Sequence, residues 1–280
     1  IDNVVVAGPA TIDVFTKAPN PVLLNQLTEL RIMNKAWAEK NKSLEPKDIK
    51  TKEESHAHRN AMGSGPFMVK EWQPDQKLVM VANPHWWGQA AKSGNVTEIV
   101  YTPIKSEATR MAALLSGEVD LVLDPSPQDL QRVQNNAALK VVTGPENRSI
   151  FFGMDQHRDE LPGSNIKGKN PLKDQRVRQA LYQAIDIDAI HKVVLRGMSQ
   201  NTGTLIAPQV NGYTKRADQR YPFNVAAAQK LLADAGYQDG FEVDFACPNN
   251  RYIGDERICQ AVAAMWSKVG VKAKLRTLPL

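Results

Sequence analysis

The sequence predicts an α/β fold, and three observations carry that expectation. Runs such as Phe67-Met68-Val69-Lys70-Glu71-Trp72 and Lys77-Leu78-Val79-Met80-Val81-Ala82 have strand character, and they are interleaved with stretches of helical period. Residues 241–246, 255–268 and 271–277 read as strand, helix and strand, a crossover that implies a parallel pair and a right-handed connection. At 280 residues the chain is long enough to bury a sizeable core, in one large domain or two smaller ones.

The elements follow in order. Val4-Val5-Val6 and Ile12-Asp13-Val14-Phe15 flank Gly8-Pro9, so two strands joined by a turn are expected. Leu23, Leu27, Leu30 and Met33 lie near helical spacing and predict one helix over 22–37. Residues 41–59 are polar and read as a surface excursion. The two runs at 67–72 and 77–82 form a hairpin, with Pro74 in a position that suits a type I turn. A strand follows at 96–102.

Ser106 is the cap of the next helix, which stops at Gly117 and places Met111, Leu114 and Leu115 on one face. Residues 119–123 read as a strand, and Ser126-Pro127 as the opening of a helix. Strands at 139–143 and 150–154 continue the alternation. Residues 159–171, polar and carrying Gly163, Gly168 and two prolines, are the linker candidate.

Beyond it, a helix from Asp174 aligns Val177, Leu181, Ala184 and Ile185, and another runs from a cap at Asp188 to Gly197. After the turn-rich residues 203–222, Asn224 caps a helix that Gly236 ends. In the crossover helix, Ile258, Val262, Met265, Trp266 and Val269 stand at core spacing.

Composition excludes several classes. The apolar fraction is 42% and the charged fraction 23%, which disfavours disorder, and no apolar run approaches the ~20 residues of a spanning helix. The net charge of +5 is spread along the chain with acidic residues among the basic ones, so no nucleic-acid partner is expected. Ile1 to Val6 lack the features of a signal peptide. Cys247 and Cys259 have no CxxC spacing and no neighbouring His, which argues against zinc. They read either as a disulfide in an exported protein or as two buried thiols.

Catalytic machinery is not expected. No Walker A loop or GxSxG elbow occurs, and Pro66 removes an amide where a phosphate cradle needs one. His56 and His58 lie in a polar stretch without a third ligand, and His85 and His191 read as structural. Asp120 and Asp124 flank the strand expected at 119–123 and share a face on a period of two, but Asp124 precedes Pro125 and reads as a turn residue, so no catalytic dyad is expected.

The one promising site is Cys247-Pro248-Asn249-Asn250-Arg251-Tyr252, between a strand end and a helix start, where ligands sit in open α/β sheets. Arg251 can take a carboxylate, Asn249 can donate or accept, Tyr252 offers an apolar face, and the helix N-terminus supplies amides. The alternative is a solvated surface loop. Arg148, just before the strand expected at 150–154, is a weaker binding candidate.

Five stretches, in order, resemble the dipeptide/oligopeptide-binding proteins of bacterial ABC importers. They are Gly63-Ser64-Gly65-Pro66-Phe67, then Asn83-Pro84-His85-Trp86-Trp87-Gly88, then the helix and Gly117-Glu118-Val119-Asp120. The run from Pro171-Leu172 through Val177-Arg178-Gln179-Ala180-Leu181 to Ala184-Ile185-Asp186 is the fourth, and residues 226–236 the fifth. The resemblance implies a periplasmic binding protein type II-like fold of two lobes, incomplete at both ends because intact members are much longer. Residues 1–90 are then part of a first-lobe subdomain, 91–166 its α/β core, and 167–280 the N-terminal part of the second lobe.

It also implies a non-enzymatic protein without a cofactor, exported to the periplasm, that closes over a peptide or other small solute and docks on ABC permease subunits. Arg251 falls near the arginine that takes the peptide carboxylate in dipeptide binders. Export in turn favours a Cys247–Cys259 disulfide. An α/β hydrolase-like enzyme, or a sensor or assembly domain on the same fold, are the alternatives, and the first lacks a nucleophile beside a base.

Overall fold

The computed structural model describes residues 1–279. The chain forms two compact units, Ile1–Pro103 and Ile104–Leu280. Among the described residues no helix is long and apolar enough to cross a membrane.

The first unit holds β1 (Asn3–Gly8), β2 (Thr11–Phe15), α1 (Leu23–Leu27), α2 (Lys35–Lys40), α3 (His56–Arg59), β3 (Phe67–Gln73), β4 (Lys77–Ala82) and β5 (Glu98–Tyr101). β1 and β2 pair antiparallel, and β3, β4 and β5 form an antiparallel sheet in that order. The expected helix over 22–37 is two short helices, with Leu30, Ile32 and Met33 exposed between and before them. An apolar period holds a helix only where its stripe meets a packing surface, and these side chains meet none among the described residues. Asp75 has φ 60°, and a positive φ at the third turn position excludes the expected type I turn.

Two of the sequence motifs meet at the end of β4. The Asn83 amide group donates to the Gly65 carbonyl at 2.9 Å, its backbone N–H donates to the Pro66 carbonyl, and its side-chain oxygen accepts from His85. A Cβ on Gly88 would lie 2.5 Å from the Trp86 ring. Both motifs therefore contribute to one hydrogen-bonded turn. Asn83→Ala leaves the half-buried Gly65 carbonyl without its donor and is expected to cost about 1–2 kcal/mol. Urea unfolding of the variant measures this, and an unchanged midpoint would refute the turn's role.

The second unit holds α4 (Glu107–Ser116), α5 (Leu130–Gln134), α6 (Gln175–Gln183), α7 (Ile187–Ala189), α8 (Val225–Asp234), β6 (Phe241–Pro248), α9 (Asp255–Ser267) and β7 (Val271–Leu278). Caps fall where short polar side chains precede a helix. Ser106, Asp174 and Asn224 accept from Thr109, Arg176 and Ala227 respectively. Gly117 and Gly236 take the left-handed φ that ends α4 and follows α8.

Several expectations are corrected. The helix expected from Ser126 begins at Leu130, because the buried Ser126 hydroxyl accepts from Arg257 instead of capping. The helix expected from Asp188 is capped by Asp186 and passes into a π-turn at Ile190–Val194, while Asp188 accepts from Asn201. Residues 119–123, 139–143 and 150–154 are irregular, since a strand needs a neighbouring ladder and none pairs with them among the described residues. Their alternation still sorts sides: Phe152 and Met154 pack on the core while Phe151 is exposed.

Residues 159–171, expected as a linker, are a packed loop. The buried Asn170 side chain donates to the carbonyls of Asp155 and Arg158, each at 2.9 Å, and Asn165 accepts from Glu242 N–H.

β6 and β7 are parallel, with Phe241 opposite Val271 and Cys247 opposite Thr277, as the crossover pattern predicted. α9 buries Ile258, Cys259, Val262 and Trp266 against them. Val177, Ala180 and Leu181 of α6 and Ala228 and Leu232 of α8 complete one continuous core. Gly240 and Gly270 approach so closely that a Cβ on Gly240 would lie 1.9 Å from the Gly270 carbonyl oxygen, so the βα crossing admits no side chain there.

Candidate ligand-binding site

The site grows out of the C-terminal end of β6. After Pro248 the chain leaves the sheet, and Asn249 N–H donates to the Leu278 carbonyl at the end of β7. The loop then turns on Asp255, the first residue of α9. One oxygen of its buried carboxylate accepts from the backbone N–H groups of Arg251 and Tyr252, both at 3.0 Å, and the other accepts from Glu256 at 2.9 Å. A carboxylate beside a helix start naturally takes orphan amides. It also corrects an expectation, because the Glu256 amide at this helix end serves Asp255 and not a ligand.

A disulfide joins Cys247, near the end of β6, to Cys259 in α9 with their Cα atoms 6.5 Å apart. Both residues are buried. The loop carrying Asn249, Arg251 and Tyr252 is therefore closed at its base by a covalent bond and at its tip by Asp255. Asp255→Ala is expected to cost about 2 kcal/mol by stripping two loop amides of their acceptor, and Asp255→Asn less because one oxygen remains. Chemical denaturation of both variants tests this, and equal loss in the two would contradict it.

Tyr252 is the centre of the cluster. The Arg251 guanidinium carbon lies 5.2 Å from its ring centroid, and Arg251 Nε donates to the Tyr252 hydroxyl at 2.7 Å. The Arg148 guanidinium carbon lies 5.7 Å from the same ring. Both distances are within the reach of a cation–π attraction. Arg148 is also paired with Glu146 at 2.8 Å.

Tyr252 lines a cleft of about 340 Å³ between residues 150–155 and β6, with Phe151, Phe245, Ala246 and Pro248 among its apolar walls. Asp155 forms a polar part of that wall. The Arg158 and His157 backbone amides and the Arg158 guanidinium hold its carboxyl below the usual range. Ring contacts of 5.2 Å and 6.3 Å from Phe152 to Phe245 and Trp266 anchor the facing segment.

Three of the four residues singled out from the sequence thus come together: Arg148, Arg251 and Tyr252. Asn249 is exposed, and its side chain makes no hydrogen bond among the described residues. The roles of Glu146 and Asp255 were missed, although an Asp at a loop–helix junction is a standing signal for amide capture. His58 accepts the Ser55 N–H, and the His56 ring lies tilted against Trp37 with centroids 5.6 Å apart. Among the described residues no group of three or more His, Cys, Asp or Glu could hold a metal ion.

A parallel strand pair crossed by a helix places an arginine and an aromatic ring at the carboxyl end of β6. The family model 'Bacterial extracellular solute-binding proteins, family 5 Middle' matches residues 1–280, and the chain belongs to that family. It is 30% identical over 227 residues to the dipeptide-binding protein of Escherichia coli K12, covering 78% of this chain and 38% of that protein. To the heme-binding protein A of Haemophilus influenzae it is 28% identical over 219 residues, covering 75% and 36%.

Among solved structures, the periplasmic binding protein DppA of Helicobacter pylori in complex with the peptide STSA superposes with a TM-score of 0.76 at 21% identity, over 99% of this chain and 50% of that one. The binding protein AgaA of A. tumefaciens R10 in complex with agropinic acid gives 0.70 at 21%, over 100% and 52%. The fold is that of the type II periplasmic binding proteins. The chain spans well under half the length of these two relatives and about half that of the solved structures.

Proposed function

We propose that the chain belongs to the solute-binding component of a bacterial ABC importer for peptides or related small solutes, working in the periplasm without catalysis. In this reading residues 1–90 and 91–166 contribute to the first lobe and 167–280 to the second. The lobes close over the solute, and the closed form docks on the permease subunits. Family membership supports the class. One observation supports the site: Arg251 is held beside Tyr252, which lines an apolar cleft, on a loop braced by a disulfide and by Asp255.

A guanidinium there takes a ligand carboxylate by charge-assisted hydrogen bonds, and the cleft accepts apolar side chains. The same ring face that holds Arg251 orients its fork, so less side-chain freedom is lost on binding.

Arg251→Gln in the intact protein is expected to weaken binding of a dipeptide about tenfold or more, from the loss of a hydrogen-bonded charge pair. Calorimetric titration with a defined dipeptide set, at matched salt, checks this. Unaltered affinity for every peptide that binds would remove Arg251 from the site.

A further inference from the structure

The Tyr252 ring carries not one cation but two, and they come from distant parts of the chain. Arg251 belongs to the β6–α9 loop, whereas Arg148 belongs to the segment that leads into residues 150–155 on the other side of the cleft. The carboxylate of Asp255 lies close by, but its oxygens are committed to three backbone amides. Glu146 is the anion that meets Arg148, at 2.8 Å. That ion pair is half exposed, so it is weakly held and open to exchange. Its geometry shows that the Arg148 fork, placed over Tyr252, accepts a carboxylate.

From this we infer that the site selects solutes bearing two acidic groups close together, such as a dipeptide whose C-terminal residue is Asp or Glu. Arg251 takes one carboxylate. Arg148 takes the second by exchanging Glu146 for the ligand's acidic side chain. A ligand with a single carboxylate leaves the Arg148–Glu146 pair in place and gains nothing from it. The inference rests on the reading of the Tyr252 loop as the ligand site.

Isosteric peptides separate charge from shape. Titration of the intact protein at low salt with Ala-Asp and Ala-Glu against Ala-Asn and Ala-Gln is expected to favour the acidic member of each pair by about five- to tenfold, as for a partly exposed charge-assisted pair. Arg148→Gln should bring the ratio to about one. Glu146→Gln, which frees Arg148, should raise it. Arg251→Gln should weaken all four peptides.

If Arg251→Gln weakens binding but the wild-type ratio is near one, or Arg148→Gln leaves it unchanged, or Glu146→Gln lowers it, the two-acid inference is overturned and the site stands. If Arg251→Gln changes none of the four affinities, or the intact protein binds none of the peptides, the site reading fails and the inference with it.

Discussion

Breaking the Cys247–Cys259 bond is expected to cost about 3 kcal/mol and to lower the melting temperature by roughly 6–12 °C. The bridge spans 12 positions and closes a short loop, so cutting it returns conformational freedom chiefly to the unfolded chain. A functional effect should accompany the loss. Between the two cysteines lie Asn249, Arg251 and Tyr252, and the bond acts on that loop together with the Asp255 carboxylate and the contact from Asn249 to Leu278. Ligand affinity should therefore fall further than in a variant destabilised to the same degree elsewhere in the core. Thermal melts with and without reductant, repeated on a Cys247→Ser, Cys259→Ser double variant, measure both effects. Identical melts under oxidising and reducing conditions would show that the bond contributes nothing.

Trp266→Ala should cost about 3–5 kcal/mol, the largest single-side-chain effect expected in this chain. The indole is buried between Phe245 and Phe152, with ring centroids 5.1 Å and 6.3 Å away. Its N–H donates to the Leu181 carbonyl at 3.0 Å in a buried place, so truncation leaves both a cavity and an unpaired carbonyl. That bond links the crossover helix α9 to the end of α6. Trp266→Phe keeps most of the volume and loses only the donor, and is expected to cost about 1–2 kcal/mol. Denaturant unfolding of the two variants separates packing from the hydrogen bond. Similar losses in both would mean that the hydrogen bond, not the packing, dominates.

The sequence was most readable where local chemistry decides the structure. Ser106 and Asn224 cap as expected because a short polar side chain before an apolar period has one favourable place to go. The crossover unit was readable because β6, α9 and β7 are contiguous and each is buried on its patterned face. Strand patterns at 119–123, 139–143 and 150–154 misled because a strand is defined by its neighbour, and an alternating run carries no information about whether one is present. Ser126 misled for a related reason: a hydroxyl that looks like a cap locally is claimed by Arg257, far along the chain.

At the site, the chemistry of Arg251 and Tyr252 could be read from residue type and from their place after a strand. What could not be read is that Arg148 joins them, since only the fold brings its segment to Tyr252. The division of labour at the helix end was missed, although an Asp at a loop–helix junction signals amide capture. Asp255 and the helix amides were both available to a ligand on paper, and the loop's conformation gives them to each other.

The central claim is that the β6–α9 loop holds a solute carboxylate on Arg251. A crystal structure of the intact protein grown with a dipeptide that binds it tests this directly. A ligand carboxylate oxygen is expected about 2.7–2.9 Å from the Arg251 guanidinium, with ligand side chains in the cleft beside Tyr252. A ligand bound elsewhere, with Arg251 still hydrogen-bonded only to Tyr252, would contradict it.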